Sequence, residues 1–288
     1  MSMKPTSLAV LVDSHIREYE LFTLERAVEE TGIDIPVVLI NKPQKIEVDP
    51  DLEAKAIGSG LGIHSIRLFF KSVARDRSWA LVYAERKIAE QLGATEPSSK
   101  RIPVENVTLF SDAEIYRVTP VNENGWTKLP EETIQLIGEK CDVVLRYGFG
   151  LIKGDILTTT EYGVLSFHPA DIREYRGLGV PQAWIDDKEV MGVTLQRLSE
   201  DIDGGGIVAY RESYVGDCAT LWECYERLYR LHPDLLVEGI ENLRDPTFEI
   251  TVPESLGPYY PTSNKQKLSF ATKTLFKNIY GRIRKIFK

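Results

Sequence analysis

The chain opens with a short apolar run, a helical pattern and a second apolar run, and this order limits the folds available to it. Residues 7–12 (SLAVLV) are continuous and apolar with β-branched members, as in a buried strand. Residues 19–32 (YELFTLERAVEETG) have helical spacing and end on Gly32, a helix-stop residue. IPVVLINKP (35–43) follows as a second strand. Such a β-α-β unit predicts an α/β fold with a parallel sheet and right-handed crossovers.

The rest of the chain continues this alternation. Further strands are predicted at residues 106–110, 115–121, 141–152, 163–168, 193–198 and 206–214. Helices are predicted at residues 65–92, 129–140 and 221–243, the last broken at His232-Pro233. We therefore expect a mostly parallel, twisted sheet of the Rossmann type flanked by helices, with its chemistry at the carboxyl ends of the strands.

Composition argues against several classes of protein. With 288 residues, 43% of them hydrophobic, the chain is long enough for a sizeable core. It has no uninterrupted apolar run of the roughly 18 residues that a transmembrane helix needs. Its three cysteines show no metal-binding spacing, so we expect no metal site and a reduced, cytoplasmic environment.

Charge divides the chain into an acidic body and a basic tail. Residues 265–288 hold eight lysines or arginines and no acid, which leaves 27 basic and 43 acidic residues elsewhere, a net charge of −16. A body with that charge is not expected to bind nucleic acid through nonspecific attraction. We predict a domain over residues 1–250 with its core motif at 140–210, a linker over 251–264 and the tail over 265–288.

The tail, residues 265–288, has the pattern of a cationic amphipathic helix. Apolar residues recur at helical spacing from Leu268 to Phe287, with lysines and arginines between them, although Gly281 weakens the helix. Such a helix can lie on an anionic membrane surface, pack on the acidic body or form the contact of a homo-oligomer. All three alternatives stay open here, and the first would place the protein peripherally at the inner membrane surface.

Two polar residues end a strand in the middle of the chain. In GVLSFHP, a period of two places Ser166 and His168 on one face, and Pro169 ends the strand. A histidine alone is more often structural than catalytic. However, Asp203 follows 35 residues later beside Gly204–Gly206, in a loop between two strands. Glycines there permit positive φ angles and close approach of the backbone to a ligand.

The spacing and flanks of these residues resemble the folate-dependent formyltransferase family. The segments that carry the resemblance are GFGLIKGDILTTTEYGVLSFHP (148–169), YRGLGVPQAW (175–184) and GVTLQRLSEDIDGGGIV (192–208). The catalytic trio of this family is an Asn-x-His pair and an Asp about 35 residues later. The matching positions here are Ser166, His168 and Asp203. The chain therefore resembles a divergent branch with serine in place of the asparagine.

The resemblance also implies where ligands bind. The family's tetrahydrofolate pocket is built largely from backbone, and the matching residues are Gly150, Leu151, Ile152, Ser199, Glu200 and Asp201. The loop after the histidine is implied to contact the substrate through Tyr175, Arg176 and Gly177. The implied co-substrate is 10-formyltetrahydrofolate, which belongs to one-carbon metabolism.

These residue types suit transfer of a formyl group to a primary amine. Attack of the amine on the formyl carbon produces a tetrahedral oxyanion, which an imidazole can stabilise while a carboxylate orients it and helps to remove the amine proton. We expect His168 and Asp203 in these roles. Ser166 is expected to be a weaker or water-assisted donor, because a hydroxyl reaches less far than an amide. Arg173 or Arg176 could supply the missing donor.

A small molecule is the expected acceptor. The residues after the last sheet-associated helix are too few for the second domain of the methionyl-tRNA enzymes, and those before the motif are too many for the minimal purine-pathway enzyme. This elimination favours an amino sugar attached to a nucleotide or lipid. Two alternatives keep the same pocket. One is hydrolysis of a formyl group or another acyl or glycan transfer, and the other is a catalytically silent, ligand-binding protein.

Overall fold

The computed structural model describes residues 5–42, 63–93 and 100–287. Its strands are β1 (Ser7–Val12), β2 (His15–Arg17), β3 (Asp34–Asn41), β4 (Arg101–Pro103), β5 (Glu114–Val118), β6 (Val121–Glu123), β7 (Trp126–Lys128), β8 (Val143–Arg146), β9 (Leu151–Ile152), β10 (Val164–His168), β11 (Arg176–Gly177), β12 (Val190–Arg197), β13 (Gly206–Tyr214) and β14 (Tyr259–Tyr260). Its α-helices are α1 (Glu18–Thr31), α2 (Ile63–Asp76), α3 (Ala80–Gln91), α4 (Glu131–Lys140), α5 (Gly179–Ile185), α6 (Leu221–Tyr229), α7 (His232–Arg244) and α8 (Leu268–Ile286).

Seven strands form the main sheet, in the order β13-β12-β10-β8-β1-β3-β5. Five of them, from β10 to β5, are parallel, and β12 and β13 add an antiparallel edge. The predicted mostly parallel α/β fold is therefore confirmed. The carboxyl ends of β1, β8 and β10 meet at one edge of this sheet, which is where the sequence placed the chemistry.

The central strand β1 shows how the apolar runs build a core on each face of the sheet. Its side chains alternate between the two faces, as in any strand. Leu8, Val10 and Val12 belong to one hydrophobic cluster, with α1, α6 and α7, whereas Ala9 and Leu11 belong to the other, with α4. Burial on both faces explains why the sequence of this strand is continuously apolar rather than alternating.

Two predicted elements differ from the structure. The helix predicted at residues 65–92 is two helices, because Arg77 has a left-handed backbone (φ +51°) and a short 3₁₀ segment separates α2 from α3. Trp79 in this segment is buried and packs on Phe270 of α8 (ring centroids 5.8 Å apart).

The strand predicted at residues 106–110 is wrong, because Thr108–Phe110 forms a 3₁₀ turn. A short segment with only three apolar residues, such as NVTLF, does not by itself separate a strand from a turn.

The tail forms the predicted helix, α8, and one face of it packs on the body. Ala271, Thr274 and Asn278 on this face are completely buried. The Asn278 side chain caps the start of α6 by accepting from the Leu221 N–H (2.9 Å). Gly281 allows the closest approach, since a Cβ at this position would lie 1.7 Å from the Ala219 carbonyl oxygen. The packing of α8 therefore requires the glycine that weakens it as a helix.

Several cations of α8 contact the body instead of solvent. Lys277 pairs with Asp187 (2.5 Å), Arg282 with Glu85 (2.6 Å) and Lys285 with Glu223 (2.9 Å). The opposite face exposes large apolar side chains, namely those of Phe276, Tyr280, Ile283 and Phe287. Docking on the acidic body is thus the arrangement present, while membrane and oligomer contacts stay predictions for the exposed face. Within the described ranges, every helix is too short or too polar to cross a bilayer.

Replacing Gly281 with alanine tests the docking of α8. Alanine favours a helix by about 1 kcal/mol over glycine, but the clash with Ala219 should cost about 1–3 kcal/mol. We expect a net loss of stability in urea unfolding followed by tryptophan fluorescence. Tyr280→Ala on the exposed face is the control and should change stability by no more than about 0.5 kcal/mol. A more stable Gly281→Ala variant would contradict this packing.

Candidate active site

The catalytic positions implied by the sequence, Ser166, His168 and Asp203 (the trio), come together at the carboxyl end of β10. Ser166 and His168 lie two residues apart on β10, so their side chains share a face. Asp203 comes from the loop between β12 and β13. Strand β12 pairs antiparallel with β10, and this pairing brings the loop to the end of β10. Ser166 and His168 are 1% and 5% exposed, whereas the Asp203 side chain is 19% exposed, so the serine and the histidine are enclosed and the aspartate is partly accessible.

Both nitrogens of the His168 ring face oxygen atoms. Nδ1 lies 3.3 Å from Asp203 Oδ1, and Nε2 lies 2.8 Å from the Tyr175 carbonyl oxygen. Because a carbonyl only accepts hydrogen bonds, this contact assigns a proton to Nε2. In the neutral ring Nδ1 then carries the lone pair, and Asp203 is beside it.

Two hydrogen bonds hold the Asp203 carboxylate. The Gly177 N–H donates to Oδ2 (2.7 Å) and the Gln196 amide donates to Oδ1 (3.2 Å). Asp203 itself has a left-handed backbone (φ +47°), which typically costs about 1–3 kcal/mol outside glycine. The expected positive φ in this loop is therefore on the aspartate. A Cβ on Gly205 would lie 2.0 Å from the Arg197 carbonyl oxygen, so Gly205 serves close backbone packing.

The partner of Ser166 is Arg146, the last residue of β8. Arg146 Nη2 donates to Ser166 Oγ (2.7 Å), and Nη1 donates to the carbonyl of Gly150. The two arginines expected near Ser166 are engaged elsewhere. Arg173 pairs with Asp171 and lies over the Tyr210 ring, and Arg176 donates to the carbonyls of Gly257 and Ile202.

Arg146 is a half-buried cation that interacts electrostatically with two carboxylates. Burial lowers its pKa from the ordinary value, and the charges of Asp203 and Asp13 oppose that shift. Asp13 follows β1, where Asn41 donates to its carboxylate (3.0 Å). The two acids thus offset part of the desolvation of the guanidinium.

The six residues implied to bind folate lie in two segments beside the trio. Leu151 and Ile152 form β9, which pairs with β7, and Leu151 is 39% exposed. Ser199, Glu200 and Asp201 precede Asp203 in the loop after β12. Glu200 connects its segment to the residues just after the first one by accepting from the Gly154 N–H (3.1 Å). The structure thus brings these segments together, while their role in binding folate stays a prediction.

The residues implied to bind substrate, Tyr175, Arg176 and Gly177, cover the trio. The Tyr175 carbonyl contacts His168 and the Gly177 N–H contacts Asp203, as described above. β11 pairs with β14 from the predicted linker 251–264, so this segment helps to enclose the site. A cavity of about 230 Å³ is lined by Tyr175 and by other residues outside the trio.

No metal site is evident in the parts of the chain that the structure describes. There, no three His, Cys, Asp or Glu side chains are close enough to share an ion. The chemistry that this geometry offers comes from an imidazole, a carboxylate, a hydroxyl and a guanidinium at one strand edge.

Known proteins with similar sequences are methionyl-tRNA formyltransferases. The Solibacter usitatus protein is 28% identical over 185 residues, which are 61% of this chain and 56% of that protein. The first relatives are matched over about half of their length or less, such as 42% of the Thermotoga maritima protein. No family model matches the chain.

Solved structures of similar fold are sugar N-formyltransferases. One from Shewanella shares 14% identity, with a TM-score of 0.52 over 90% of this chain and 78% of that chain. Another from Helicobacter canadensis, in complex with folinic acid and dTDP-3-aminofucose, shares 11% identity, with a TM-score of 0.50 over 97% and 82%. At these identities the likeness concerns the fold. The chain is thus similar in sequence to methionyl-tRNA formyltransferases and similar in fold to sugar N-formyltransferases.

Two residues at this site, Arg146 and Gln196, were not among the sequence-based candidates. A charged residue ending the apolar run VVLR, followed by the GFG segment, was a visible signal for Arg146. Gln196 could be found only with the register of β10 and β12, which pairs it with Ser166.

Behind β10, His232 is buried with neither ring nitrogen hydrogen-bonded in the described structure. Its ring stacks on Phe167 (centroids 4.1 Å apart), and the rings of Tyr19 and Tyr229 lie edge-on to it. Burial lowers the pKa of His232 from 6.5 to about 3. The folded state therefore holds this imidazole neutral, and protonation favours the unfolded chain.

The stability of the protein should fall with acidity through His232. Since its folded pKa is below its unfolded value, its contribution is full above pH 6.5 and is lost as the pH falls towards 3. The loss should be about 1.4 kcal/mol per pH unit in this window. Urea unfolding of the wild type and of His232→Phe should be measured from pH 7 to 4.5. The free energy of unfolding should fall less steeply with decreasing pH in the variant. Equal slopes would contradict a neutral buried His232.

Proposed function

We propose that the protein transfers a formyl group from 10-formyltetrahydrofolate to a primary amine of a small molecule, preferably an amino sugar. The observation that carries the proposal is the His168–Asp203 contact (Nδ1 to Oδ1, 3.3 Å) beside the two segments implied to bind folate. Relatedness to methionyl-tRNA formyltransferases supports the reaction class. The sugar N-formyltransferases of similar fold, one in complex with folinic acid and dTDP-3-aminofucose, support the ligands.

In the proposed reaction, His168 and Asp203 handle the proton of the attacking amine. The bound folate supplies the formyl carbon, to which the amine nitrogen forms a bond while the carbonyl oxygen becomes an oxyanion. Nδ1 of His168, backed by Asp203, accepts the amine proton and returns it to the folate nitrogen as the old carbon–nitrogen bond breaks. Ser166 donates to the oxyanion. The products are a formamide and tetrahydrofolate, with no net gain or loss of protons.

Access to the trio is part of the proposal. Because Ser166 and His168 are nearly inaccessible, the formyl group reaches them only after the covering residues Tyr175–Gly177 shift. Their pairing with β14 couples such a shift to residues Tyr259–Tyr260. Enclosure of this kind excludes water from the reacting atoms and limits hydrolysis of the formyl group.

Turnover of nucleotide-linked amino sugars tests this function. With 10-formyltetrahydrofolate and dTDP-linked amino sugars, mass spectrometry should detect the N-formylated sugar. His168→Asn should lower turnover by about 10²–10⁴, the usual value of a general acid–base group. His15→Asn is the matched control, since His15 lies on the separate strand β2, and its turnover should be unchanged.

The same assay separates the alternatives. Formate released without any amine would favour a formyl hydrolase. A folded wild-type protein that fails to bind 5-formyltetrahydrofolate in calorimetric titration would contradict folate as the donor. Undiminished transfer by His168→Asn would remove His168 from the mechanism.

A further inference from the structure

The serine at position 166 leaves the site short of a donor unless another group takes part. A serine hydroxyl has one proton to donate and a shorter reach than an asparagine amide. In this structure, however, Ser166 Oγ already accepts a hydrogen bond from Arg146 Nη2 at 2.7 Å. Its own proton is therefore not needed for that contact and can be directed at a third group.

We propose that Arg146 is a positioning residue that acts through Ser166, and that the two together replace the single asparagine of the related enzymes. The guanidinium fixes the serine hydroxyl and polarises it, so that its proton points at the oxyanion of the tetrahedral intermediate. This inference rests on the proposed function and names the group that completes it.

The geometry of Arg146 supports this role. It ends β8, directly beside Ser166, because the parallel register pairs Leu145 with Leu165 one residue earlier. Its Nη1 donates to the Gly150 carbonyl and its Nη2 donates to Ser166. These two hydrogen bonds fix the orientation of the guanidinium. A hydrogen bond from a charged donor is about twice as strong as a neutral one.

The charge balance also fits a stabiliser of developing negative charge. Arg146 lies near Asp203 and Asp13, whose charges favour its protonated form in the enclosed site. Its Nε is buried and has no acceptor within the described parts of the chain. A fixed cation next to the serine hydroxyl lowers the energy of an oxyanion more than a water could, because it needs no reorganisation.

A purely structural role for Arg146 is the competing explanation. In that case Arg146 would only connect β8 to the Gly150 turn. Its loss would then affect folding or folate binding but not the polarisation of the bound formyl carbonyl. The polarisation of a bound carbonyl separates the two roles, because it responds to donors at the oxygen and not to overall stability.

The test uses 10-formyl-5,8-dideazafolate, a stable folate with its formyl group on N10, labelled with ¹³C in that group. Infrared difference spectra of the bound label should show the carbonyl stretch at a lower frequency than in water. Arg146→Met and Ser166→Ala should each lose most of this shift, and the double variant should lose no more than either single one. Arg146→Gln, which keeps an amide donor without the charge, serves if Arg146→Met fails to fold.

Turnover provides the second readout. Each single variant should lower kcat by about 10²–10³ with little change in KM, the usual effect of losing an oxyanion donor. The two losses should not add in the double variant, since both remove one shared interaction. Arg146→Met/Ser166→Asn should recover both the carbonyl shift and part of the turnover, because asparagine then donates directly.

The outcomes distinguish this inference from the function that it rests on. No binding of the labelled folate by the wild type would overturn the proposed function, and this inference with it. Binding with a carbonyl shift that persists in Arg146→Met would overturn only the role of Arg146. Additive losses of kcat in the double variant would likewise show that the two residues act separately.

Discussion

Strand β10 is hydrogen-bonded to the parallel strand β8 on one side and to the antiparallel strand β12 on the other. This double pairing places Arg146, Ser166 and Gln196 side by side across three strands, with His168 two residues further along β10. Gln196 in turn holds Asp203 (3.2 Å). The position of each polar group at the site therefore depends on strand register, and a one-residue slip would turn these side chains to the other face.

Partly buried charge is tolerated in this site because Asp203 and Arg146 each have an opposite charge or a hydrogen-bonding group beside them. Asp203 faces His168, Gln196 and the Gly177 N–H, and Arg146 lies near two carboxylates. An unpaired ion in such a position would lower the stability of the folded protein. The left-handed backbone of Asp203 adds local strain that the surrounding sheet must support. Such strain is typical of functional loops held by a rigid scaffold.

The sequence predicted the fold class well because its strands are short apolar runs with clear breaks between them. It located the trio because the spacing of Ser166, His168 and Asp203 resembles a known pattern. It missed Arg146 and Gln196, since their contacts cross between strands whose register the sequence does not reveal. The docking of the tail was also undecided, because its lysines and arginines suit an acidic protein surface and an acidic membrane equally well.

A crystal structure with 10-formyl-5,8-dideazafolate would test the central claim most directly, because it locates the formyl oxygen relative to the trio. We predict that this oxygen lies within about 3 Å of Ser166 Oγ, a normal hydrogen-bond distance. The Arg146–Ser166 contact should persist, and the covering residues Tyr175–Gly177 should move to admit the ligand. A folate bound with its formyl group away from Ser166 and His168 would contradict the account.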